Sequence, residues 1–184
     1  MNEAPVKYYR SADFLRQVRK RAFVFWSSAT GIALLWVILI LAAPVAASVG
    51  SEVSGSLYGF FGYICHQLPD RSFFIFGHKF AVCSRCFGVY FGLLLGMAAY
   101  PLLRPMEESS PLPRFWLFAS MIPMAIDWSL CVFEVWENTF LTRTVTGLIL
   151  GVACAVFIVP ALIEIAEVRL GRAYASPGQT KKAA

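Results

Sequence analysis

Charge is what this sequence has least of. Only 15% of its 184 residues are Asp, Glu, Lys or Arg, while 58% are hydrophobic. A soluble domain carries about a quarter charged residues, so an ordinary water-soluble fold is excluded and a lipid-embedded chain is expected. The mean hydropathy of +0.64 agrees. Histidine is scarce too, with two in the chain. No Walker loop, H-E-x-x-H or Ser–His–Asp grouping is present, which removes the usual nucleotide enzymes and hydrolases. There is no repeat, heptad or low-complexity tract, and no nucleic-acid module, so nucleic acid is not an expected partner.

What is present in quantity is apolar length. Four runs, about Ala22–Ser48, Cys86–Leu103, Phe115–Trp136 and Leu141–Ile165, each approach the ~20 residues that cross a hydrocarbon core as helix. The first ends in "PVAAS", which resembles a signal-peptide cleavage site. Its apolar stretch nevertheless exceeds the about 7–15 residues of a signal core, and a membrane helix is expected instead. The fold class is therefore all-α: a polytopic membrane protein with four transmembrane helices.

Orientation follows from the basic residues. Lys7, Arg10, Arg16, Arg19, Lys20 and Arg21 crowd the N-terminus, and Arg169, Arg172, Lys181 and Lys182 the C-terminus. With the short "RPMEESSPLPR" turn they share one face, which the positive-inside rule assigns to the cytoplasm. The expected organisation is a cytoplasmic basic amphipathic segment over 1–21, a four-helix transmembrane domain over 22–166, and a largely disordered cytoplasmic basic tail over 167–184. The expected setting is the cell membrane, with the lipid bilayer as the one inferred partner. The largest outer segment, 49–85, is then extracytoplasmic. Its "GSLYGFFGYIC" is too short and Gly-rich to span, and a surface-lying or re-entrant helix is expected there.

The chemistry-bearing residues concentrate in that outer segment. The stretch 65–86, CHQLPDRSFFIFGHKFAVCSRC, holds three of the five cysteines and both histidines. Cys83 and Cys86 form a C-x-x-C at the mouth of the second span. Helix amides and dipole there favour thiolates, and Arg85 adds positive charge. Three readings stand open. Cys65, Cys83, Cys86 and either His66 or His78 could make a tetrahedral site for zinc or another transition metal. Alternatively, Cys83 and Cys86 could cycle between dithiol and disulfide with Cys65 as exchange partner. Thirdly, Cys83–Cys86 or Cys65–Cys83 could be a structural disulfide on a non-enzymatic subunit or assembly factor. Cys131 and Cys154 lie within spans, where packing is the default.

Asp127 falls near the middle of the third run, where an unpaired charge is costly and a basic partner is expected. Cys131 and Glu134 follow at helical spacing, so Asp127 and Glu134 are expected on one stripe. Arg85 and Arg143 are the candidate partners, whereas Glu137 and Asn138 read as solvated loop. Pro123 can kink the helix just before Asp127. Gly88, Gly92 and Gly96 recur every four residues, as do Gly147 and Gly151, so the second and fourth spans are expected neighbours. The candidates for a catalytic role are Cys83, Cys86 and Asp127. Gln67, Arg71, Ser72, Arg85 and Arg143 are the expected outer shell or anion-binding groups.

The signature "CHQLPDRSF", Gly77, "CSRCFGVYFG", "IDW" and "LTRTVTGLILG" resembles a family of small bacterial and archaeal membrane proteins of unknown function, over about Tyr58 to Gly151. The resemblance implies that the loop, Asp127 and Arg143 belong to one site, and it carries no established activity. Where the family has Gly after the Asp, this chain has Trp128. The arrangement of Cys83, Arg85 and Cys86 also resembles the quinone-linked membrane oxidases that generate disulfides. Those carry a second cysteine pair in the other outer loop, and residues 137–143 contain none, which argues against a full electron relay.

Overall fold

Four helices long and apolar enough to cross a membrane dominate the computed structural model, which describes residues 12–106, 108–110 and 112–175. They are α1 (Ala12–Ser48), α3 (Ser84–Leu103), α4 (Phe115–Val132) and α5 (Phe140–Ala175). The 20 residues of α3 rise about 30 Å, the thickness of a hydrocarbon core. A short helix α2 (Val53–Gly62) follows α1, where a non-spanning helix was expected.

The outer helices overrun their apolar stretches. α1 begins at Ala12 and carries the basic residues from Arg16 to Arg21 on the same continuous helix as the span. α5 continues past Ile165 to Ala175. Residues 1–11 and 176–184, which hold the rest of the expected basic segment and tail, lie outside the described residues.

Glycine sets the tightest helix pair. A Cβ on Gly88 would run into the Thr144 carbonyl oxygen, one on Gly92 into that of Leu148, and one on Gly147 into that of Arg85. At Gly151 it would also lie 2.7 Å from the Leu93 amide nitrogen. These contacts place the backbones of α3 and α5 in direct apposition, as the four-residue glycine spacing requires. α1 packs across this pair, and the Trp26 indole donates to the Met97 carbonyl at 2.7 Å. α4 lies against α5 and buries only Ser120, turning Phe115, Phe118, Ile122 and Ile126 outward. Lipid, not a protein core, accepts those side chains.

Two apolar clusters mark the two ends of the bundle. One joins Ala22, Met97, Tyr100, Val159 and Ile163, beside both described basic segments. The other joins Ile40, Phe61, Cys65, Phe80 and Val82, and anchors the 49–83 segment to the opposite end. There Phe73 meets Phe80 and Phe140 at 5.6 Å between centroids, and Trp36 meets Phe61 at 5.4 Å. Edge and tilted aromatic pairs add about 0.5–1.5 kcal/mol each beyond the area they bury, so the segment is clamped down. Within it, Phe74–Ile75 and His78–Lys79 pair as a minimal antiparallel hairpin, β1 and β2. Its two-residue turn, Phe76 at φ 52° and Gly77 at φ 77°, has the left-handed geometry of a type I′ turn.

Candidate functional site

The site grows from the end of α2 and the beginning of α3. Cys65 follows α2, its amide bonded to the Phe61 carbonyl at 2.9 Å. The chain then reverses through Gln67, a buried residue at φ 50°. Left-handed backbone at a non-glycine residue must be held by its surroundings, and two bonds do so. The Gln67 side chain donates to the Tyr58 carbonyl at 2.7 Å, and its carbonyl accepts from Lys79 Nζ at 2.8 Å. The Tyr58 hydroxyl in turn donates to the Lys79 carbonyl. Ser72, fully buried, donates to the Leu68 carbonyl at 2.9 Å. Gln67 and Ser72, expected as outer-shell or anion-binding groups, thus use side-chain donors to shape the loop, while Gln67 also lines the cleft beside Cys65.

This fold-back carries Cys65 onto the C-x-x-C. Cys83 occupies the N-cap position of α3, Cys86 lies in its first turn, and the sulfurs of Cys65, Cys83 and Cys86 all fall within 4.8 Å of one another. The Cys83 amide donates to Cys65 Sγ at 3.2 Å. Cys65 is held well below the ordinary thiol range, because the Cys83 and Cys86 thiols and backbone amides donate hydrogen bonds to its sulfur. The cluster therefore favours a thiolate, the form that ligates metal or attacks a disulfide. All five cysteines are free thiols.

The two histidines separate. His66 is exposed and lines a cleft of about 310 Å³ together with Cys65, Arg71, Cys83 and Cys86. His78 lies exposed on β2 and is not among that cleft's lining residues. Neither imidazole comes within 4.8 Å of all three sulfurs.

A second cleft, of about 200 Å³, shares Arg71 and Cys83 with the first and is completed by Arg85, Trp128, Cys131, Asn138 and Arg143. Arg85 pairs with Asp127, joining α3 to α4. Asn138 donates to both the Asp127 carbonyl (2.7 Å) and its carboxylate (2.8 Å), and Arg143 donates to the Asn138 side-chain oxygen at 3.2 Å. Asp127, Arg85 and Arg143 thus form one network, with Asn138 as the bridge.

α4 stops at Val132, which leaves Asp127 within about one turn of the helix midpoint, as expected, and about one and a half turns from its end. Three expectations change here. Glu134 does not share the Asp127 stripe. It adopts φ 56° just past the helix, where its amide bonds the Cys131 carbonyl and that of Val135 bonds Leu130, a Schellman close. Asn138, read as solvated loop, is half-buried at the centre of the network. Nothing local marks it, because its partner is 11 residues away across a turn. Cys131, expected as packing, lines the arginine cleft beside Trp128.

A bundle of four apolar helices with its charged and polar groups at the helix ends defines a multi-pass helical membrane protein. The chain belongs to a family described as "Predicted membrane protein (DUF2085)", whose model matches residues 65–157 and so includes the three clustered cysteines, Asp127 and Arg143. It is 38% identical to an uncharacterized protein of Methanocaldococcus jannaschii, over 72% of this chain and 88% of the relative. A second uncharacterized protein, from Methanothermobacter thermautotrophicus, is 36% identical over 52% of this chain and 85% of the relative. No solved structure matches.

Proposed function

We propose that this protein holds a thiophilic metal ion of the zinc class at the outer face of the cell membrane, with Cys65, Cys83 and Cys86 as thiolate ligands. The observation that carries this reading is the convergence of three free sulfurs within 4.8 Å at one helix mouth. A Zn–S bond of about 2.3 Å sets tetrahedral sulfurs about 3.8 Å apart, so small shifts would close the set. His66, next to Cys65 in the chain and lining the same cleft, is the fourth ligand in this reading, in preference to His78. Arg71 lines the same cleft as the three sulfurs. The orientation rests on Arg16–Arg21, Arg104, Arg114 and Arg169 lying at the bundle end opposite the thiols, the end expected in the cytoplasm.

Elemental analysis of purified protein tests the metal. Stoichiometric metal in the wild type, lost in Cys65→Ser and Cys83→Ser, is the expected result. Absence of metal together with an inert disulfide would leave only a structural role. Orientation is tested separately: a membrane-impermeant thiol reagent added to intact cells should reach the cluster, and labelling only after membrane disruption would reverse the topology.

One observation favours a second reading. An apolar groove of about 310 Å³ between α1 and α3, lined by Ile32, Trp36, Tyr90, Leu93 and Met97, begins one turn below Cys86. A lipid-soluble quinone there could accept electrons from a Cys83–Cys86 dithiol, with Cys83 as nucleophile and Cys86 resolving. A metal-free protein with a reducible Cys83–Cys86 bond at a potential far above ~−300 mV would decide for this alternative.

A further inference from the structure

We propose that the cleft bounded by the end of α4 and the first turns of α3 and α5 binds a phosphate-class oxyanion, either free in solution or carried on a lipid headgroup. The proposal extends the thiol site to its neighbour and does not require the metal to be bound.

The argument is a charge balance in a confined space. Arg71, Arg85 and Arg143 all line this cleft of about 200 Å³. Asp127 is the acid of this network, and its carboxylate already accepts from Arg85 and Asn138. Glu134 and Glu137 do not line the cleft. One carboxylate against three guanidiniums leaves two positive charges. Arg143 is 9% exposed, and the one hydrogen bond of its guanidinium among the described residues is to a neutral amide oxygen. A buried guanidinium without a countercharge is costly, since desolvation is not repaid by a neutral acceptor. Arg85 Nε is likewise buried without a partner among the described residues. Arg71 is exposed at the mouth, and its guanidinium makes no hydrogen bond among the described residues.

Unused donors from three elements therefore converge on one space, where the N-terminal ends of α3 and α5 add positive potential. Guanidinium forks match tetrahedral oxyanions bidentately, and a dianion balances two charges where a carboxylate would balance one. Trp128 and Val132, both more than half exposed, form the apolar lip on the α4 side. That lip makes the cleft accessible to a lipid headgroup as well as to a free ion.

The test uses the full chain in phosphatidylcholine nanodiscs, with the unfolding temperature followed as inorganic phosphate is titrated at constant ionic strength. A parallel set contains phosphatidic acid. A saturable rise with free phosphate identifies a soluble ion, and a rise only with phosphatidic acid identifies the headgroup. Arg71→Gln, at an exposed side chain with no hydrogen bond among the described residues, should fold normally and raise the half-saturating concentration at least tenfold, while Arg143→Gln should abolish the shift. Cys65→Ser removes a thiol that does not line this cleft and should keep the shift even if metal is lost, which separates this proposal from the metal reading. The proposal is overturned if neither phosphate source raises the unfolding temperature. It is equally overturned if Arg71→Gln responds like the wild type, or if Cys65→Ser alone abolishes the effect, since the arginines would then answer the thiolates.

Discussion

Replacing Asp127 with Asn removes the one acid that the cleft network contains while keeping the side chain's size. In the wild type the carboxylate accepts from Arg85 and Asn138, and the two ionic side chains are 10% and 20% exposed. Removing one partner from a buried, hydrogen-bonded pair costs about 3–5 kcal/mol, mostly as the penalty of the abandoned charge. Arg85 retains some solvent, so the lower end applies, about 3 kcal/mol, or roughly a hundredfold in the unfolding equilibrium. Because the penalty comes from the orphaned guanidinium, Arg85→Gln combined with Asp127→Asn should recover much of the loss. Reversible unfolding in mixed micelles, followed by tryptophan fluorescence across the four-variant cycle, measures both quantities. Metal content should survive in Asp127→Asn, since the thiols are held by α3 and the loop. A double variant at least as unstable as the sum of the singles would refute the reasoning, and so would a single variant within about 0.5 kcal/mol of wild type.

Further outcomes follow from the same geometry. Gly151→Leu should separate α3 from α5 and cost at least about 1–3 kcal/mol of overpacking, read in the same unfolding assay, because the Cβ site already lies 2.7 Å from the Leu93 amide nitrogen. Gly77→Val meets open space but must adopt φ 77°, so it should cost about 1–3 kcal/mol from backbone strain and weaken metal retention through the hairpin. Acidification should separate Cys65 from ordinary thiols. Its folded pKa is depressed, so its contribution to stability is full above the unfolded thiol pKa, about 8.5, and is lost as pH falls through the lower folded value. Alkylation of Cys65 in the metal-free protein should accordingly change little between pH 8 and pH 6, where a normal thiol slows about tenfold per unit. A tenfold-per-unit decline at Cys65, located by mass spectrometry, would contradict the hydrogen-bonded thiolate.

The residues differed in how far they could be read before folding. Cys83 and Cys86 were legible because a C-x-x-C at the start of an apolar run places both thiols at one helix mouth. Gly88, Gly92, Gly147 and Gly151 were legible because a four-residue period puts each set on one helical face. Asn138 was not, since its role depends on a turn after α4 that returns the chain to Asp127. Glu134 was misplaced for the related reason that the Schellman close ends α4 at Val132, although the apolar pattern continues to Trp136. Apolar composition continues through a turn as easily as through a helix, so hydropathy does not mark that boundary.

By itself the sequence determined the membrane class, the four spans, the pairing of α3 with α5 and the end of the bundle where chemistry could occur. Each of these depends on periodicity or composition within one segment. Only the tertiary structure decided which groups meet. It brought Cys65 to Cys83 and Cys86 through the left-handed turn at Gln67, kept His66 beside them while His78 went to the hairpin, and joined Asp127, Asn138 and Arg143. Those meetings are set by loop conformation and aromatic packing between distant segments, for which a linear pattern has no period to display.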